Sequence, residues 1–167
     1  MLLLEGGGEI EDAIGPLVRA SGIGRRLLDG SVPEQIVLAI AESEPGCAAT
    51  ATVWDGERLR ICARQAPVPY LLRFGRPVPF ELVDSGGVQS VALETAKGDV
   101  LVMASSGLSA LQSAGKPASP EKAIQRLARA AETQPLSGAF ANLVSEWKKT
   151  GVTPGGKDVL LLAAKRL

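Results

Sequence analysis

The sequence contains no histidine. That removes the commonest general base at neutral pH and the commonest transition-metal ligand. Ser-His-Asp and Cys-His catalysis are excluded within this chain. Any chemistry must rest on carboxylates, lysine, tyrosine, serine or cysteine. Cysteine is scarce too. Cys47 and Cys62 are the two present, and they show no zinc-binding spacing. Both fall in apolar stretches, so buried free thiols are expected. An excess of charge is also absent, with 18 Lys plus Arg against 18 Asp plus Glu. Nothing in that balance points to nucleic acid or an anionic membrane. A neutral chain is prone to self-association. No apolar run approaches transmembrane length. Met1 to Leu4 is apolar but is ended by Glu5 and three glycines, too short for a signal segment. The expectation is a cytoplasmic protein.

What is present is globular composition, 46% hydrophobic and 22% charged over 167 residues. That is enough for a single domain spanning 1–167. Leu2 to Leu4 read as a buried strand running into a glycine turn. Glu9 to Leu28 has helical periodicity. Pro33, placed near a first turn, opens a helix through Ser43. Cys47 to Trp54 and Arg58 to Arg64 read as a hairpin around Asp55-Gly56. Extended segments are expected over Tyr70 to Phe74, Val78 to Val83, Val88 to Leu93 and Val100 to Ala104. Gly75-Arg76-Pro77 reads as a turn, and Asp84 to Gly87 as a loop. Val100 to Ala104 looks buried on both faces. Leu108 to Ser113 reads as a short helix and Gly115 to Pro120 as a loop. Helices follow from Ser119-Pro120-Glu121 to Glu132 and over Pro135 to Lys149. The latter carries Phe140, Leu143, Val144 and Trp147 on one face. Val159 to Ala163 closes the chain as a strand. Strands grouped centrally with helices on both sides indicate an α+β layered domain.

Four segments carry a resemblance to a known family. Lys97 to Ala110 (KGDVLVMASSGLSA) resembles the block G-D-x-L-hydrophobic-hydrophobic-x-[ST]-D-G-[LV]-x-E-A. Gly98, Asp99, Leu101, Val102, Ser105, Gly107, Leu108 and Ala110 match, and the metal-binding aspartate falls on Ser106. Gly156 to Leu162 (GKDVLLL) resembles the closing D-D strand, with Asp158 on the second acid and Lys157 on the first, the ligand. Ala63 to Gly75 is similar to a strand-turn-strand block through Pro67, Pro69, Leu71, Leu72, Arg73 and Gly75, without the family's Gly-His pair. Leu2 to Ala13 is similar to a hydrophobic-D-G-x-G-x-G opening, with Glu5 on the metal aspartate and Gly6 on its glycine. In order and spacing the chain resembles the metal-dependent protein phosphatases (protein phosphatase 2C-like) of the stage II sporulation protein E type. The resemblance implies a four-layer α-β-β-α sandwich, with the family's first strands missing before Leu2.

Such phosphatases hold two Mg²⁺ or Mn²⁺ ions that clamp phosphate and generate a hydroxide. Hard cations require charged oxygen ligands. Against that requirement Glu5 and Asp158 remain as vestigial carboxylates, Ser106 is a neutral hydroxyl and Lys157 is a cation. Gly6, Ser106, Gly107 and Lys157 therefore mark vestigial site positions. No metal cofactor is expected, and no catalytic residue is assigned. Lys157 admits two readings: an ammonium replacing metal charge and pairing with Glu5, or an exposed loop residue. Gly6-Gly7-Gly8 reads as a phosphate cradle or a tight turn. Ser105-Ser106 reads as a nucleophile pair or as loop hydrogen bonding. Arg58, Arg60 and Arg64 share one strand face, either for an acidic partner or simply solvated.

The resulting expectation is a pseudophosphatase, a binding or regulatory signalling module whose partner is a regulatory protein or phosphoprotein. The alternative is an active Mg²⁺- or Mn²⁺-dependent serine/threonine phosphatase acting on a regulatory phosphoprotein. Missing first strands would leave a sheet edge open, so a homodimer through that edge is expected.

Overall fold

The computed structural model describes residues 1–5, 32–43, 45–114, 116–153, 155 and 158–167, with the side chains of residues 4, 5 and 43 outside the description. The helix expected over Glu9 to Leu28 lies outside it. The chain is α+β, and it divides into two compact units. Unit 1 comprises Met1–Val68 and Phe80–Thr95, and unit 2 comprises Pro69–Pro79 and Ala96–Leu167.

Unit 1 is an antiparallel sheet in the order β1-β2-β3-β7-β6. Its strands are β1 (Leu2–Glu5), β2 (Ala48–Asp55), β3 (Arg58–Arg64), β6 (Val83–Ser85) and β7 (Val88–Glu94). Helix α1 (Pro33–Ser43) packs on one face. Alternation decides what that face holds. Ala49, Ala51, Cys62 and Val88 point toward α1, where they meet Ile36, Val37 and Ile40. Register puts Arg58, Arg60 and Arg64 on the same face as Cys62, as their spacing predicts. On the opposite face Thr50, Thr52, Leu59, Ile61 and Ala63 are buried. The β2–β3 turn is Gly56-Glu57, one residue later than the Asp-Gly signal suggests, because Asp55 pairs with Arg58. Gly56 supplies the positive φ of 56° that the turn requires.

Unit 2 carries a second antiparallel sheet in the order β12-β8-β4-β5. Its strands are β4 (Tyr70–Arg73), β5 (Arg76–Pro77), β8 (Val100–Ala104) and β12 (Leu161–Lys165). A small three-stranded sheet is built from β9 (Gln112–Ser113), β10 (Lys116–Pro117) and β11 (Val152–Thr153). Helices α2 (Pro120–Thr133) and α3 (Leu136–Thr150) cover one face of the larger sheet. Ser119 caps α2 by accepting from the Lys122 N–H at 3.3 Å, and Pro120 occupies the first turn, where its missing N–H costs nothing. Ile124, Leu127, Ala128 and Ala131 recur on one side of α2 and meet Leu72, Val100, Val102 and Ala104 of the sheet. Phe140, Leu143 and Trp147 of α3 join this core, whereas Val144 is 44% exposed and stands outside it. Every residue of β8 is buried, as its unbroken apolar run predicts.

Several boundaries differ from the sequence reading. Strand β4 stops at Arg73, and Phe74-Gly75 makes a two-residue turn with φ of 48° and 64°. Glycine suits the positive φ there, and a Cβ would press on the Arg129 side chain. Arg76-Pro77, read as turn, is strand β5. Asp84 and Ser85, read as loop, end β6. The helix expected at Leu108 is a single 3-10 turn over Ser106–Ala110, followed directly by β9. The last strand begins two residues later than expected, because residues 158–160 are used to hold the end of β8. Among the described residues no helix is long and apolar enough to cross a membrane.

Candidate functional site

Two of the blocks that carry the resemblance meet in unit 2. Ser105 follows β8 directly and joins them. Its N–H donates to the Leu160 carbonyl at 2.9 Å, and its hydroxyl accepts the Leu160 N–H at 2.9 Å. The same hydroxyl donates to the Asp158 carbonyl at 3.2 Å. Ser105 is thereby consumed in loop hydrogen bonding, the second of its two readings. A further constraint lies one turn on, where a Cβ at Gly155 would strike the Ala110 carbonyl. The glycine permits close backbone approach between the two blocks. The result sets Ser106 and Gly107, the first residues of the 3-10 turn, beside the segment that carries Asp158. Ser106 and Asp158 are exposed and Gly107 is buried.

The other positions named from the resemblance are distributed differently. Glu5 ends β1 in unit 1, where its backbone pairs with Ala48. Gly6, Lys157 and the side chain of Glu5 lie outside the described residues. Both readings of Lys157 thus stay open. Among the described residues, the matched positions in unit 2 offer one carboxylate, Asp158, and one neutral hydroxyl, Ser106. Two hard divalent cations require several anionic oxygens, so these residues do not fit a two-metal site on their own. No group of three or more His, Cys, Asp or Glu side chains suited to a metal forms among the described residues.

The strongest electrostatic element is one that sequence reasoning missed. Asp99 has no exposed surface. Arg73 holds it with a fork, Nε to Oδ1 at 2.9 Å and Nη2 to Oδ2 at 2.8 Å. The Ala96 N–H adds a bond to Oδ2 at 2.8 Å. Burial pushes the Asp99 carboxyl upward, but the Arg73 fork and the Ala96 amide outweigh it and hold the group below the usual carboxylate range. Arg73 and Asp99 both stand at matched family positions, in separate blocks. Pairing between those blocks was the available signal.

Both cysteines are buried free thiols, as expected. Burial first, and then the nearby Glu34 carboxylate, pushes the Cys62 thiol up to about 12. It stays protonated at neutral pH and is no nucleophile.

In sequence, neither a family model nor a curated protein matches the chain. In structure the matches are consistent. The RsbU and RsbW domains of Rv1364c from Mycobacterium tuberculosis align over 99% of this chain and 51% of theirs, at 18% identity and a TM-score of 0.68. The chain thus spans about half the length of that structure. The SpoIIE phosphatase domain with a regulatory fragment, from Bacillus subtilis, aligns over 98% of this chain and 53% of its own, at 14% identity and a TM-score of 0.66. The catalytic domain of the serine/threonine phosphatase PstP, in complex with two manganese ions, aligns over 98% of this chain and 86% of its own, at 18% identity and a TM-score of 0.61. Identities this low define the fold. It is the fold of PP2C-type phosphatase domains, the sporulation protein E domain among them, as the four sequence blocks imply.

Replacing Asp99 by asparagine tests the fork. Breaking a fully buried pair costs about 3–5 kcal/mol. The Arg73 side chain is 40% exposed, so about 2 kcal/mol is expected at pH 7. The folded-state value of Asp99 lies below the unfolded value of about 3.9, so its contribution is present above that pH and fades as pH falls through the folded value. Urea denaturation of both proteins should therefore give a stability gap at pH 7 that narrows in strong acid. A gap independent of pH would contradict this assignment.

Proposed function

We propose that the chain is a phosphatase-like binding module, with the PP2C fold kept and the two-metal chemistry lost. The observation that carries this reading is the donor set. Ser106 and Lys157 stand where the resemblance requires carboxylates, and a protonated ammonium cannot coordinate a cation. One acid at the matched positions of unit 2, Asp158, is too little negative charge for two divalent ions. Its partner is a regulatory protein or phosphoprotein. The competing reading, an active Mg²⁺- or Mn²⁺-dependent serine/threonine phosphatase, has the two manganese ions of PstP in its favour.

A second copy of the chain is the other partner. Each large sheet has one guarded end among the described residues. Strand β5 carries Pro77, which cannot donate to a neighbour, and β6 is three exposed residues that include Asp84. Strand β12 is longer than either, and its one charge, the Lys165 ammonium, is drawn onto the Ala131 carbonyl at 2.6 Å. Its sequence LLAAK is free of proline, and among the described residues it pairs only with β8. An antiparallel β12–β12 contact would continue the sheet from one protomer into its partner.

Calorimetric titration of Mn²⁺ and Mg²⁺, with p-nitrophenyl phosphate turnover followed in parallel, decides between the two functional readings. The binding module gives no saturable heat and no turnover. Tight binding of about two ions with turnover establishes the phosphatase instead. Light scattering on the same preparation should give twice the 17.3 kDa chain mass. A monodisperse monomer would refute the β12 contact.

A further inference from the structure

The β4–β5 turn of unit 2 holds a residue that neither turn chemistry nor packing explains. Two successive positive φ values, 48° at Phe74 and 64° at Gly75, are the pattern of a type I′ turn. Asparagine or glycine takes the first position of such a turn without strain, whereas a bulky side chain there is an outlier. Phe74 accepts that strain and buries little, being 76% exposed. Strain held at an exposed aromatic side chain argues for recognition, because it serves nothing inside the unit.

Its surroundings specify what is recognised. A cavity of about 490 Å³ is lined by Arg73, Phe74, Arg76, Pro77, Val78 and Pro79. Among the described residues the lining has two guanidinium groups and no carboxylate. Arg73 spends Nε and one hydrogen of Nη2 on Asp99, and the fork fixes its orientation. Among the described residues its Nη1 and the remaining Nη2 hydrogen are left over for a second acceptor. Arg76 is exposed on the neighbouring strand. Beneath the turn, Gly75 lies close to Arg129 and Glu132, a pair of opposite charges that leaves the positive balance unchanged. Phe74, Val78 and the two prolines supply apolar surface between the cations. Aromatic and arginine side chains together are what binding hot spots favour. Pro77 removes the outward donor that strand addition would use, so side chains must carry the recognition here.

We infer that this turn is a docking site for an acidic segment of a protein partner, in which carboxylates flank an apolar residue. The carboxylates meet Arg73 and Arg76, and the apolar residue packs on Phe74. This deepens the binding-module reading and rests on it in one respect, that the chain acts by holding a protein. It is independent of the metal positions and of strand β12.

The test uses the full chain and a fluorescein-labelled peptide of alternating aspartate and leucine, read by fluorescence anisotropy. A peptide of equal length with asparagine for aspartate is the control. Saturable binding of the acidic peptide is expected, weakening as salt is raised, with little binding of the control. Arg76→Ala should weaken it about fivefold. Phe74→Asn should weaken it about tenfold while the thermal midpoint holds or rises, because asparagine suits the turn better. Equal binding of both peptides, absence of saturable binding, or unchanged affinity in Phe74→Asn would overturn the proposal. So would a lower thermal midpoint in Phe74→Asn, which would make the aromatic a structural residue. Manganese-dependent turnover in the same preparation would instead count against the binding-module reading alone.

Discussion

A carboxylate with no exposed surface sits at the entrance to the most buried strand of unit 2, and much of that unit is arranged around it. Asp99 is tolerable there only because Arg73 and the Ala96 amide satisfy its oxygens. The fork ties β4 to β8, and it fixes the end of β4 from which the Phe74-Gly75 turn departs. The Gly98 N–H donates to the Arg166 carbonyl at 2.9 Å and the Arg166 backbone N–H donates to the Asp99 carbonyl at 2.9 Å, so the same corner also holds the end of β12. The charge pair thus ties two strands of this sheet, and the backbone beside it holds the end of a third.

At the other end of β8 the device is a hydroxyl. Ser105 bonds the backbone of residues 158 and 160 and keeps the Ser106 turn against the Asp158 segment. These bonds need no metal and no carboxylate. The geometry that brings the two blocks together is therefore independent of the charge a metal site would require. This separation explains how a scaffold can persist while its ligands change.

Much of the fold was legible because local signals agree with tertiary packing. Pro33, the Ser119-Pro120-Glu121 cap and the apolar run of Val100 to Ala104 each announce an element that forms. The failures have physical causes. Phe74 has no turn propensity, so the β4–β5 turn was misplaced by a residue that is strained in its own conformation. Leu108 to Ser113 has helical periodicity, but the bonds from Ser105 and the close approach of Gly155 allow only a single tight turn. Leu161 begins β12 two residues late because Asp158 and Leu160 are taken by Ser105. The approach of the Ser106-Gly107 turn to the Asp158 segment was legible through the resemblance. The Arg73–Asp99 pair was not, since its partners are 26 residues apart and no local pattern couples them.

We propose that the chain keeps the PP2C fold and lacks the charge that two metal ions require. The most direct measurement is the thermal midpoint with and without Mn²⁺, for the natural sequence and for the double variant Ser106→Asp/Lys157→Asp. An ion that binds only the folded state raises the midpoint by mass action. The account predicts no change for the natural sequence and a rise for the variant with its acids restored. A rise in the natural sequence itself would contradict it, because the site would then be complete as it stands.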